Sequence, residues 1–300
     1  MSATSLEQPQ ATILAEETKH RSEFSQSWRR FRANRMAVVG LIVVGLLILM
    51  AIFAPYIAPY DPITDIFRGM RGVGPSPGHP FGYDHLGRDL LSRVIYGSRV
   101  ALLVGIIATI ISVLIGVTVG AIAGFFGGWA DSVLSRIVDT LMAFPLIALL
   151  IVLAAVLGPS LPTTIVVIGI TVWARYARVV RADVMSLRSR DFITAATASG
   201  VKNSRIIWRH IVPNIMGPVI VLASLGIGSI IILEAALSFL GVGVRPPTPS
   251  WGGILSDGRA YIIRYPHIAF FPGIMIVITV LAFNFVGDGL RDALDPHDRE

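Results

Sequence analysis

Long uncharged runs alternate with short polar segments along most of this 300-residue chain. No charged residue falls between Met36 and Ala54, between Val100 and Ala130, or between Tyr265 and Gly287. Asp139 is the only charge from Ile137 to Ala174, and Glu234 the only one from Ile211 to Val244. A helix rises 1.5 Å per residue, so about 20 apolar residues cross a hydrocarbon core. The runs predict an all-α membrane protein of about six transmembrane helices, near 36–54, 98–122, 136–157, 163–182, 215–241 and 268–287. Gly158-Pro159-Ser160-Leu161-Pro162 divides the third long run into two of these spans, because proline and glycine punctuate helices.

The pattern divides the chain into a tail, 1–35, and a membrane domain, 36–300. Met1–His20 is polar and without hydrophobic period, which predicts disorder. Phe24, Trp28 and Phe31 then follow at i, i+4 and i+7 among Arg29, Arg30, Arg32 and Arg35. That spacing suits an interfacial helix with one aromatic face; a plain basic flank orienting the first span is the alternative. The first apolar run is a full span without a small-residue cleavage site, so it reads as an uncleaved helix.

Loop charge sets the expected orientation. The segment between spans four and five carries Arg175, Arg178, Arg181, Arg188, Arg190, Lys202, Arg205 and Arg209 against Asp183 and Asp191. Residues 55–97 hold four arginines and four aspartates. With an even number of spans, both termini and the basic loop 183–214 fall on the cytoplasmic side, and loops 55–97 and 244–267 outside. Trp251, Tyr261 and Tyr265 in the last loop suit the lipid interface.

Composition agrees with a chain living in lipid. It is 54% hydrophobic and 15% charged, where soluble domains carry about a quarter charged residues. The net charge of +6 is carried mostly by arginine, in no run resembling a nucleic-acid stripe. No cysteine is present. There is no G-x-x-x-x-G-K-[ST] loop and no H-E-x-x-H, and the six histidines have no metal-ligand spacing on one helix face. No metal site and no catalytic set emerges, so an enzyme is disfavoured. An ion-coupled secondary transporter is the rival reading, and it needs inverted repeats and several ionisable residues in mid-membrane. Glu234 alone is thin equipment for that, so the energy is expected to come from a partner.

The candidate partner surface is the basic loop. Asp183–Ser199 is helix-compatible and ends in Thr194, Ala195, Ala196, Thr197, Ala198 and Ser199, with Gly200 placed for a left-handed cap. Asn203 is a fair N-cap for a second short helix, which Pro213 is expected to end. The outcome is a helix–turn–helix elbow whose small side chains admit a partner and whose Arg205 and Arg209 grip it by charge. Glu234 is either a substrate-pathway acid or a group satisfying polar atoms between helices. Asp84, Arg88 and Asp89 either contact an external protein or pair within a folded plug. Gly116, Gly120 and Gly124 form a small-residue ridge, for a subunit seam or for packing within the chain.

These residues resemble a known family. Thr194–Pro213 is similar to the E-A-A-x3-G-x9-I-x-L-P coupling motif of ABC-importer membrane subunits, with Ala195, Ala196, Gly200 and Pro213 in place. Thr194 stands where an acid is common and His210 where isoleucine is usual; Arg209-His210-Ile211-Val212-Pro213-Asn214 looks like the ending of the peptide branch. Phe81–Asp89 with Ser92-Arg93 is similar to F-G-T-D-x-x-G-R-D-x-x-S-R, with Tyr83 for threonine. Leu237-Ser238-Phe239-Leu240-Gly241, Pro246–Gly252 and Leu281–Pro296 resemble further signatures. The likeness covers nearly everything after about Trp28 and points to C-type permeases of the dipeptide/oligopeptide/nickel importers. It implies a type I ABC importer transmembrane domain with a cytoplasmic coupling helix, multi-pass in the bacterial inner (plasma) membrane. It also implies a B-type permease partner, two ATP-binding subunits and an external solute-binding protein. No cofactor is expected on this chain, with ATP and Mg on the partner subunits. The implied cargo is di- or oligopeptide, with nickel, glutathione or another small solute as alternatives.

Overall fold

A computed structural model gives the architecture of residues 23–294, with side chains from Ser27 onward. The predicted disorder of Met1–His20, the side chain of Phe24, His297 and the Asp295-Pro296 end of the C-terminal signature lie outside the described residues. The described part is helical: α1 Glu23–Ala33, α2 Arg35–Ile52, α3 Ala54–Ile57, α4 Leu90–Phe126, α5 Gly128–Ala143, α6 Leu146–Leu157, α7 Leu161–Arg188, α8 Asp191–Ala198, α9 Asn203–Ile206, α10 Val212–Phe239, α11 Trp251–Arg259 and α12 His267–Leu294. Among the described residues five helices are long and apolar enough to cross a membrane, or six if the bent pair α5–α6 counts as one span.

That pair corrects the predicted third span at 136–157. α5 and α6 meet at 90°. Pro145 lacks an N–H and disfavours helical backbone in the residue before it. Phe144 accordingly sits extended, at ψ 139. The break at Gly158 lies where the sequence placed it, with Ser160 capping α7 through the Thr163 N–H.

The main seam joins α4 to α7, while α12 lies between α10 and α2. Gly116, Gly120 and Gly124 make the first seam possible. A Cβ at Gly116 would fall 2.5 Å from the Tyr176 Cβ, one at Gly120 2.5 Å from the Ala177 carbonyl, and one at Gly124 2.7 Å from the Arg181 carbonyl. The ridge is therefore consumed within the chain rather than left for a second subunit. α1 also packs inward: Phe31 is buried with Ala37 and Ala293, while Trp28 stays exposed and stacks on it.

The loop between α4 and the first span is folded rather than open. α4 begins at Leu90, well before the predicted start at 98, because the Asp89 carboxylate caps it through the Ser92 N–H and hydroxyl. The last loop holds a helix that the sequence did not suggest, α11, capped by Ser250. Trp251 does not reach a lipid interface. It is 1% exposed, and its indole donates to the Val94 carbonyl at 2.9 Å.

Candidate functional site

An elbow of two short helices, α8 and α9, joins α7 to α10. The predicted helix Asp183–Ser199 is two helices, because the chain turns at Ser189-Arg190. Asp191 lies in the first turn of α8, where the helix dipole favours an acid. At its far end Gly200, at φ 73, takes the left-handed cap expected of it. The Val201 N–H donates to Ala196 O and the Gly200 N–H to Thr197 O, which satisfies the last carbonyls of α8. Two local expectations are corrected. Asn203 is the first residue of α9 and provides no side-chain cap. Pro213 does not end a helix: a π turn, Ile207–Ile211, absorbs the missing donor and the chain runs on into α10.

The elbow is pinned from inside and open outside. Ile193 is buried with Val184, Ile206, Ile207 and Ile211. On the other face Phe192, Thr194, Ala195, Arg205, Trp208, Arg209 and Pro213 are exposed. Ala196 is half-buried against the isoleucine cluster. Neither Arg205 nor Arg209 forms an ion pair among the described residues.

A second site is a cavity of about 510 Å³ between the α5–α6 bend, α7 and α10. Its walls are mostly apolar, from Val172, Leu222, Leu225 and Leu233, and the exposed Met142, Phe144 and Ile232 form part of its lining. Arg175 is the one charged residue among those lining it. One turn along, Arg178 Nη2 meets Asp139 Oδ1 at 2.6 Å and Arg181 pairs bidentately with Asp131 on α5. Along the sequence all three arginines belong to the one basic segment that sets the expected orientation. Asp139, a lone charge in an apolar run, was the only local hint of a partner; the Asp131–Arg181 pairing spans 50 residues and had none.

The third site is the outer plug. Asp84 is 1% exposed, Arg88 6% and Asp89 0%. Arg88 Nε donates to Asp84 Oδ2 at 2.7 Å, and the Arg93 guanidinium lies 3.3 Å from the same oxygen. Asp257 of α11 stands 3.8 Å from both arginines. Asp89 pairs not with Arg88 but with His79, at 2.7 Å. His79 in turn stacks on Tyr60 and Tyr83. Burial raises the Tyr83 phenol above its ordinary range. At the exposed start of the loop, N–H groups of Thr64 and Ile63 donate to Asp61 and hold its carboxyl below the usual range. Of the two sequence readings, burial favours a folded plug over a directly presented contact surface.

Glu234 lies in none of these sites. It is 0% exposed, and its carboxylate accepts from the Ser238 hydroxyl at 2.7 Å. Ser238 also accepts from the Val244 N–H at 3.1 Å. The acid thus ties the end of α10 to the following loop and does not line the cavity.

Residues 116–299 match the family described as the binding-protein-dependent transport system inner membrane component, and residues 22–75 match the N-terminal transmembrane domain of oligopeptide transport permease C. The chain belongs to the OppC-like permeases of binding-protein-dependent ABC transport systems.

Curated members of this permease family are close in sequence. The chain is 46% identical over 275 residues to the dipeptide transport system permease protein DppC of Alkalihalophilus pseudofirmus, covering 92% of this chain and 90% of that protein. It is 46% identical over 276 residues to the glutathione transport system permease protein GsiD of Shigella flexneri, covering 92% and 91%. Among solved structures, the inward-facing MetNI methionine ABC transporter matches with a TM-score of 0.57 at 19% identity, covering 69% of this chain and 98% of that one. The fold is that of an ABC importer transmembrane domain, and this OppC-like permease is a non-catalytic, multi-pass inner-membrane component. Its system includes ATPase and binding-protein partners.

Proposed function

We propose that this permease forms half of the translocation pathway of an importer for short peptides. The observation that carries the reading is the equal identity to a dipeptide permease and a glutathione permease, since both cargoes are small peptide-like solutes. The other half of the pathway is a B-type permease covering the exposed faces of α5 and α6, where Trp129 is 80% exposed. One of two ATP-binding subunits, each loaded with ATP and Mg, docks on the elbow through Thr194, Ala195, Ala196, Gly200, Arg205, Arg209 and Pro213, and the other docks beneath the B-type permease. Both termini and the elbow are cytoplasmic, and residues 55–97 and 244–267 face the solute-binding protein. Asp84, Arg88 and Asp89 shape that outer surface from beneath rather than touching the partner.

The elbow works by differential contact. ATP binding moves this chain only if the docked subunit holds α8 differently in its two states. A helix pinned by Ile193 and capped at Gly200 transmits such a shift as a rigid lever into α7 and α10. The test is uptake into proteoliposomes containing both permeases, the ATP-binding subunits and the binding protein. Dipeptide or glutathione uptake that requires ATP and survives collapse of the proton gradient is expected. Uptake that follows the proton gradient without ATP would replace this reading with ion-coupled transport.

A further inference from the structure

Arg175 is out of place as a topological anchor. It lies fourteen residues after Leu161 and thirteen before Arg188 on α7, so about 20 Å of helix separates it from either end. Anchoring arginines sit at helix ends, where the guanidinium reaches the interface. A cation within a spanning helix is costly unless it is paired or lines a water-filled cavity.

Its neighbours show how this chain normally meets that cost. Arg178 and Arg181 each have an aspartate on α5, Asp139 and Asp131. α5 carries no third acid and α6 none. The nearest acid on the facing stretch of α10, Glu234, is engaged by Ser238 and lines no part of the cavity. Arg175 is exposed, forms no ion pair among the described residues and lines the cavity. The apolar walls from Val172, Leu222, Leu225 and Leu233 surround a single point of positive charge. Ligand sites commonly combine such walls with a few orienting polar groups. A guanidinium presents five donors in a planar fork that matches a carboxylate bidentately.

We infer that Arg175 is the carboxylate-recognition residue of the translocation cavity, taking the free C-terminal carboxylate of a peptide-like substrate in transit. The inference rests on the peptide-import reading and deepens it. This chain's lining of the cavity has no acid to receive the substrate ammonium, so recognition on this side of the pathway is of the carboxylate end alone. Solutes with a free carboxylate move faster than their C-terminal amides, whatever the binding protein prefers.

The experiment uses the complete importer in proteoliposomes, with trialanine, trialanine amide and glutathione each delivered at concentrations that saturate the binding protein. Wild type is expected to move trialanine faster than its amide. Arg175→Gln is expected to lose about tenfold or more on trialanine and to move the two at similar rates, a loss the size of one charge-assisted hydrogen-bonded contact. Arg175→Lys, which keeps the charge without the fork, is expected to recover part of the preference. An Arg175→Gln complex that retains the wild-type rate and preference overturns the inference while leaving peptide import intact. If the B-type permease fails to co-purify with Arg175→Gln, Arg175 is an inter-subunit ion-pair partner, and the substrate role falls. A wild-type complex that moves none of the three solutes overturns the peptide reading and this inference together.

Discussion

The outer plug and the inner elbow are both charged loops between membrane helices, yet they are built in opposite ways. In the plug, Asp84 and Asp257 face Arg88 and Arg93, Asp89 faces His79, and nearly all of these groups are buried. In the elbow, Arg205 and Arg209 form no ion pair among the described residues, and the helix between the turns shows small side chains to solvent. The plug pairs its buried charges within the chain, beside the start of α4 and against Asp257 of α11. The elbow has satisfied only its backbone and its isoleucine face, and its outer side is left for another molecule. Charge content alone does not separate these cases. The position of the counter-charge does.

The sharpest way to break this contrast is Asp84→Ala. It leaves two arginines buried beside one partly exposed Asp257, and losing one member of a buried pair costs about 3–5 kcal/mol. The expected outcome is a large fall in the thermal midpoint of the purified protein and poor recovery from membranes. Next is Gly97→Leu. A Cβ there falls 2.6 Å from the Trp251 ring, whose position is held by its bond to Val94, so overpacking is expected to cost about 1–3 kcal/mol. Thermal unfolding of the variant in detergent checks it, and an unchanged midpoint would show that α11 is loosely seated.

The elbow should respond the other way. Ala195→Trp adds bulk on the exposed face of α8, so stability is expected to stay within about 0.5 kcal/mol. ATP-driven uptake by the assembled importer is expected to collapse, and normal uptake with a docked tryptophan would end the docking role. Ala195 is a cleaner position than Ala196 or Gly200. Ala196 packs on the isoleucine cluster, and Gly200 holds a left-handed backbone that other residues strain to adopt. The smallest effect is expected at Asp61. Its folded carboxyl titrates below the ordinary range, so its stabilisation is present above that range and fades as pH falls through the lowered value. Asp61→Asn should therefore show a slightly smaller loss of thermal midpoint than wild type between neutral pH and about pH 3.

The features visible in the sequence were those set by near neighbours. The Gly200 cap, the Gly158 break and the membrane-length apolar runs all depend on residues a few positions apart. The elbow was half legible: its capped helix was readable, but the π turn before Pro213 was not, because its accommodation depends on Ile207 and Ile211 packing into a distant cluster. The bend at Pro145 was missed although its cause is local, since the uniform hydropathy around it resembled a single span.

By itself the sequence determined that this chain crosses the membrane several times, lacks its own chemistry and carries an elbow of small residues between basic flanks. Hydrophobic length and helix capping are local properties, and they survive being read in one dimension. Which charges are spent and which remain was decided only in three dimensions. Arg175, Arg178 and Arg181 look alike along the chain, and only the placement of α5 gives two of them an aspartate and leaves the third facing the cavity. The sequence left Glu234 as either a pathway acid or a group satisfying polar atoms between helices, and in the structure the Ser238 hydroxyl donates to its carboxylate. A side chain's electrostatic role depends on what stands opposite it, and for Arg178 and Arg181 that partner is 39 and 50 residues away.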